Sequence, residues 1–185
     1  MTIKYNFVLD GETFVCKTFD DLETLDNYHD IVYINCQGNK LTVLPTLPNS
    51  LVYLICSSNK LSVLPAALPN SLTHLHCSIN LLILIPTLPN RLRYLDCEQN
   101  LLMFLPKFPD SLTYKCYNYN PVDTYIKDKY DGNLDIYHRE NEIYAGKLVR
   151  WYLDCRENPI FKFCRTRLDR EYDALIEEDS SGIMT

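Results

Sequence analysis

The stretch from Leu51 to Pro69, LVYLICSSNKLSVLPAALP, is written again, with small changes, on both sides of itself. Aligned on its asparagine, it gives Asn39, Asn59, Asn80, Asn100 and Asn120, separated by 20, 21, 20 and 20 residues. Four entries share one pattern: Ile31/Ile34/Cys36/Asn39/Leu41, Leu51/Leu54/Cys56/Asn59/Leu61, Leu72/Leu75/Cys77/Asn80/Leu82 and Leu92/Leu95/Cys97/Asn100/Leu102. A fifth, Leu112/Lys115/Tyr117/Asn120/Val122, keeps the frame and loses two anchors.

A period of 20 to 21 residues with the pattern L-x-x-L-x-C-x-x-N-x-L defines a leucine-rich repeat. One such unit cannot bury its own apolar face, so the copies must stack. The second and third anchors lie two residues apart, which places both on one face of a strand. Successive strands then pair in parallel, about 4.8 Å apart. Asparagine stands where the chain leaves the strand, and its amide both donates and accepts. A column of Asn39, Asn59, Asn80, Asn100 and Asn120 therefore serves the backbone groups that the turn exposes. Beside it runs an inward column of small thiols, Cys36, Cys56, Cys77 and Cys97. The return legs contain two prolines each, as in Leu44-Pro45-Thr46-Leu47-Pro48, which excludes a helix and predicts an extended, polyproline-like convex side. The fold class is α/β, a solenoid whose parallel sheet lines the concave face. The single extra residue, at Ala66-Ala67, falls on a return leg and leaves the strand frame intact.

The LPxLPNSLxxLxCxxNxL unit resembles short, Leu-Pro-rich repeat proteins of two groups. One comprises secreted effectors of enteric bacteria, the other proteins of large DNA viruses that infect amoebae. Cysteine at the third anchor and the joints Pro48-Asn49-Ser50-Leu51 and Pro69-Asn70-Ser71-Leu72 are more similar to the viral group. The resemblance covers residues 30–120 and implies a viral setting, with host or virion proteins as partners.

Residues 1–29 read as an N-terminal cap. Ile3 to Leu9 and Thr13 to Lys17 form strands around Asp10-Gly11, and Phe19, Leu22 and Leu25 suggest a short helix. The first repeat needs such cover because it exposes an apolar face and a free edge. Residues 30–120 are the repeats and 121–185 a C-terminal helical cap. In the latter, Val122 to Tyr130 is a short helix and Asp131-Gly132-Asn133 a turn. From about Asn141, Tyr144, Leu148, Tyr152 and Cys155 share one helical face, and a second helix carries Phe161, Cys164, Leu168, Tyr172 and Leu175.

Composition limits the function. The net charge of −6 and the absence of a strongly basic section argue against nucleic acid and membrane surfaces as partners. No signal peptide or membrane-spanning run is legible, so the expected location is intracellular, in host cytoplasm or virion. Half of the eight cysteines belong to the repeat column, which favours reduced thiols over disulfides. Lys147 to Arg170 is basic around Trp151, and a solvated helix face accounts for it.

The residues between anchors form the exposed face of the sheet. One column runs Tyr33, Tyr53, His74, Tyr94, Tyr114; the next runs Asn35, Ile55, His76, Asp96, Cys116; and Glu98 belongs to a third. Tyrosines offer large, rigid, amphipathic contact area, so this face is expected to bind a protein partner. They also stack along ladders for purely structural reasons. His74, His76 and Asp96 raise the alternative of a zinc site, but their spacing matches no known ligand set. A catalytic cysteine, such as Cys155, is the other alternative. That residue lies on an apolar helix face, where a thiol is inert, and too few residues follow the repeats for a ligase domain. The expectation is a non-catalytic interaction module without metal or cofactor, monomeric or weakly self-associating. A self-associating structural protein is the remaining alternative.

Overall fold

A computed structural model describes residues 1–9 and 11–141. Seven strands form one sheet in the order β2-β1-β3-β4-β5-β6-β7. They are β1 (Ile3–Asn6), β2 (Phe14–Cys16), β3 (Tyr33–Asn35), β4 (Tyr53–Ile55), β5 (His74–His76), β6 (Tyr94–Asp96) and β7 (Tyr114–Cys116). β3 to β7 pair in parallel, with Tyr33 opposite Tyr53, Tyr53 opposite His74, His74 opposite Tyr94 and Tyr94 opposite Tyr114. The offset between β4 and β5 is 21 residues, and the register is unbroken because Ala66 and Ala67 lie exposed on the return leg. No helix or strand occurs between consecutive repeat strands. The chain folds as a leucine-rich-repeat solenoid.

Alternation within each three-residue strand builds the core. Ile34, Leu54, Leu75 and Leu95 are buried between half-exposed neighbours. Return-leg residues Leu44, Leu64, Ile85 and Leu105 close the core from the other side. Each fully buried aliphatic side chain contributes about 1.5–3 kcal/mol, so a turn with four or five of them is held mainly by its neighbours. In β7 the alternation fails: Lys115 replaces the inward leucine and is exposed, its ammonium 5.7 Å from the Phe108 ring centre.

The asparagine amides stitch the turns together. Asn80 Nδ2 donates to Cys77 O in its own turn and to Cys56 O in the preceding one, at 3.1 and 3.0 Å. Its Oδ1 accepts from Leu61 N at 3.0 Å. Asn59, Asn100 and Asn120 repeat the arrangement. Asn39 instead pairs with the backbone of Thr2, accepting from its N and donating to its O, both at 2.7 Å. The residue before each asparagine is left-handed: Gly38 at φ 70°, then Ser58, Ile79, Gln99 and Tyr119 at 57°, 55°, 52° and 55°. The serines of the PNSL joints form a further seam, with Ser71 Oγ 2.6 Å from both Asn49 O and Leu51 O. Ser111 Oγ donates to Leu92 O at 2.6 Å, whereas the fourth repeat has Arg91 at this position.

At the N-terminal end, β1 pairs antiparallel with both β2 and β3, turning the solenoid's open edge into a hairpin. The strands are shorter than the sequence suggests, and residue 10 of their connection lies outside the described residues. Helix α1 (Phe19–Glu23) opens with a capping box between Thr18 and Asp21 and buries Phe19 and Leu22. Tyr28 fastens this segment to the first return leg, its hydroxyl donating to Thr46 O at 2.6 Å.

At the other end, helix α2 (Pro121–Tyr130) starts with Pro at its first position and buries Val122, Ile126 and Tyr130. Residues 134–141 also form a helix, ahead of the segment whose apolar spacing predicts one. Its start is set by Asn133, whose Oδ1 accepts from the backbone N of Asp135 and Ile136. Tyr137 is 1 % exposed, and its hydroxyl accepts from Leu105 N at 3.1 Å. The helices expected over Tyr144–Cys155 and Phe161–Leu175 lie outside the described residues. Among the described residues, no helix is long and apolar enough to cross a membrane.

Candidate functional site

Parallel pairing in register places equivalent outward residues of neighbouring strands about one strand spacing apart, and this orders the exposed face. Tyr33, Tyr53, His74, Tyr94 and Tyr114 form a row across five strands. Adjacent ring centres lie 6.4, 4.0, 5.9 and 4.3 Å apart, and the last three pairs are stacked. His76 joins the row from the second column, stacked on Tyr94 at 4.5 Å. Tyr114, on β7, is 46 % exposed, and the other four rings of the row are half-buried.

Polar contacts fix His74 within this row. Thr73 Oγ1 lies 3.3 Å from Val52 O and 2.8 Å from His74 Nδ1. With the hydroxyl donating to the carbonyl, its oxygen accepts from Nδ1–H, and Nε2 then accepts from the Tyr53 hydroxyl at 3.3 Å. Burial holds the His74 imidazole below its ordinary range, with lesser contributions from His76 and Arg93. Burial likewise lowers His76, against the opposing pull of Asp96. Both shifts favour the neutral imidazole, which stacks on the neighbouring tyrosines without a charge.

An acidic corner closes the row at β6 and β7. Among the described residues, one group has ligand atoms close enough to share an ion: Asp96, Glu98 and Cys116, all within 4.8 Å of one another. Neither His74 nor His76 belongs to it. The Cys116 thiol donates to Glu98 Oε2 at 3.3 Å, and Asp96 Oδ1 accepts from Glu98 N at 3.2 Å. Burial and the neighbouring carboxylates push the Cys116 thiol up, which keeps it protonated and unlike a metal-ready thiolate.

At the neutral end, Asn35 Nδ2 donates to the Tyr33 hydroxyl at 3.3 Å, and Asn35 Oδ1 caps Gln37 N. Ile55 stands between Asn35 and His76 in the second column. The face thus grades from uncharged hydrogen-bonding groups on β3 through an aromatic centre to carboxylates on β6. Beneath it, Cys36, Cys56, Cys77 and Cys97 are all fully buried, and their burial raises each thiol well above its ordinary range. That column has no access to a substrate. Cys155 lies outside the described residues.

No protein-family model matches the chain, and no curated protein matches it. Among solved structures it is similar to a Shigella effector leucine-rich-repeat domain. The two are 36% identical over 48% of this chain and 40% of that one, with a TM-score of 0.47. It is also similar to YopM from Yersinia enterocolitica WA-314, with 34% identity over 44% of this chain and 22% of that one, and a TM-score of 0.37. The chain therefore spans less than half of the length of each.

Proposed function

We propose that the chain is a non-catalytic protein-binding module whose partner docks on the concave face. The observation that supports this most is the row of five aromatic rings across β3 to β7, four half-exposed and Tyr114 exposed, bordered by Asp96 and Glu98. Such rings supply rigid anchors at low entropic cost. The carboxylates favour a partner with a basic patch over β6, and Asn35 favours hydrogen-bonding groups over β3. The repeat's resemblance to giant-virus proteins supports a host or virion protein as the partner, met inside the infected cell or in the particle. Neither nucleic acid nor a membrane is part of this reading. The module works as a monomer or weak self-associating species, with residues 1–29 and 121–185 as its caps.

Site-specific photo-cross-linking tests the proposal. A benzophenone amino acid replaces Tyr53 or Tyr114 on the concave face, or Ala66 on the exposed return leg. The two concave positions are expected to capture the same protein, and Ala66 none. Capture from Ala66 alone would contradict the proposal.

A further inference from the structure

A second surface differs from the concave face in composition and shape. It is the rim where the chain leaves each strand. Flanking the ladder asparagines, the first two turns carry Gly38, Lys40, Ser58 and Lys60, whereas the next three carry Ile79, Leu81, Leu101 and Tyr119. Those four apolar side chains are 52, 48, 45 and 72 % exposed. Scattered single hydrophobes on a surface are ordinary, but here Leu81 and Leu101 occupy the same position on consecutive turns, and Ile79 and Tyr119 share the position before the asparagine two turns apart, with Gln99 between them.

Backbone conformation gives an independent reason to notice it. Ile79 and Tyr119 sit at φ 55°, a left-handed conformation unfavourable for any L residue and most of all for a β-branched one. The first turn solves the same problem with Gly38. Isoleucine is held in an unfavourable conformation while half of it faces water, so the core gains little from it. Strain retained on a surface points to a use there.

The shape of the rim selects the occupant. Its N–H groups are already engaged between turns: Ile79 N donates to Glu98 O, Gln99 N to Asn118 O, Leu81 N to Leu61 O and Leu101 N to Leu82 O. An extended segment would find these four donors already taken, whereas a helix satisfies its own backbone. Five turns at about 4.8 Å span roughly 19 Å, the length of about 13 helical residues. The charge at the other end of the rim is positive, from exposed Lys40 and Lys60.

We propose that this rim docks an amphipathic helix of a partner protein. The helix sets its apolar stripe on Ile79, Leu81, Leu101 and Tyr119 and its acidic end over Lys40 and Lys60. The inference is independent of the concave-face reading, because the two surfaces share none of these side chains.

Selection from a displayed library of randomised, helix-forming peptides about four turns long, on the full-length protein, provides the probe. Fluorescence anisotropy of the enriched peptides then measures affinity. Enriched peptides are expected to carry apolar residues at i, i+3, i+4 and i+7, with Asp or Glu at one end. Leu81→Asp with Leu101→Asp should weaken binding at least tenfold, and Lys40→Gln with Lys60→Gln should weaken it and flatten its salt dependence. Tyr53→Ala with Tyr94→Ala should leave it unchanged. Ile79→Gly, which relieves the backbone, should weaken binding while Tm, measured alongside, is kept or raised. The proposal is overturned if no enriched peptide depends on Leu81 and Leu101, or if the lysine changes have no effect. It is also overturned if sedimentation shows a dimer that Leu81→Asp with Leu101→Asp abolishes, since a second copy would then be the occupant.

Discussion

Asn80 has its side-chain amide inserted between two turns, and every polar atom of that amide is used. Replacing it by alanine leaves Leu61 N without its partner in a buried setting, and it takes one of two donors from Cys56 O and Cys77 O, which keep Asn59 and Asn100 respectively. A single unsatisfied buried group costs about 1–3 kcal/mol, so Asn80→Ala is expected to cost an amount in that range. Chemical denaturation of the variant measures this, and an unchanged midpoint would show that the column does not hold the turns. The residue beside it has the opposite sign. Ile79→Gly removes a β-branched side chain from φ 55° and should stabilise by about 1 kcal/mol, offset in part by the extra freedom glycine brings to the unfolded chain. A fall in Tm would mean that the Ile79 side chain contributes more by packing than its backbone loses. The asparagine column was legible from the repeat itself. The left-handed column was not, because only Gly38 announces it and the other four positions hold Ser58, Ile79, Gln99 and Tyr119.

At the scale of strands, the concave row was readable because pairing in register turns a sequence period into a spatial column. The zinc alternative shows where that reasoning stops. His74 and His76 are neighbours on one strand, but Thr73 and Tyr53 engage the first ring and Tyr94 stacks on the second. Side-chain partners one strand away decide what a histidine does, and a one-dimensional pattern does not record them. The serine seam was missed for a related reason: PNSL read as a signature, whereas its physical content is the Ser71 hydroxyl close to two carbonyls. The histidines also give the sheet a pH dependence with a definite sign. Both have folded pKa values below the ordinary 6.5, so the unfolded chain binds their protons first as pH falls. Their contribution to stability is present above pH 6.5 and declines as pH drops through 6.5 toward the folded values. Stability of the natural chain and of His74→Gln with His76→Gln, compared from pH 8 to pH 5, should show a shallower acid decline in the variant. Parallel curves would remove the histidines from the acid response.

For the whole molecule, stacking makes stability a matter of neighbours and ends. The N-terminal end is closed by β1, β2 and α1, and the hydrophobic spacing of Phe19 and Leu22 with the Asp10-Gly11 pair revealed that arrangement. The C-terminal end was harder to read, because Lys115 breaks the repeat and the helix over 134–141 starts from the asparagine cap of Asn133. Chain truncated after Asn120 loses α2 and Tyr137, which cover the last turns with Val122, Ile126 and Tyr130. It is expected to aggregate or unfold without a cooperative transition. A soluble monomer with a sharp transition would show that residues 121–185 are dispensable to the solenoid.

The central claim is that the aromatic row serves recognition, and affinity for the cross-linked partner tests it most directly. Tyr53→Ala and Tyr94→Ala remove half-exposed anchors worth about 1–2 kcal/mol each, so each should weaken binding roughly 5- to 30-fold. Asp96→Lys should mainly slow association and alter its salt dependence. Thr46→Ala and Thr87→Ala, on the convex return legs, should leave affinity unchanged. Loss of affinity in the threonine variants, with the tyrosine and aspartate variants binding as the natural chain does, would contradict the account.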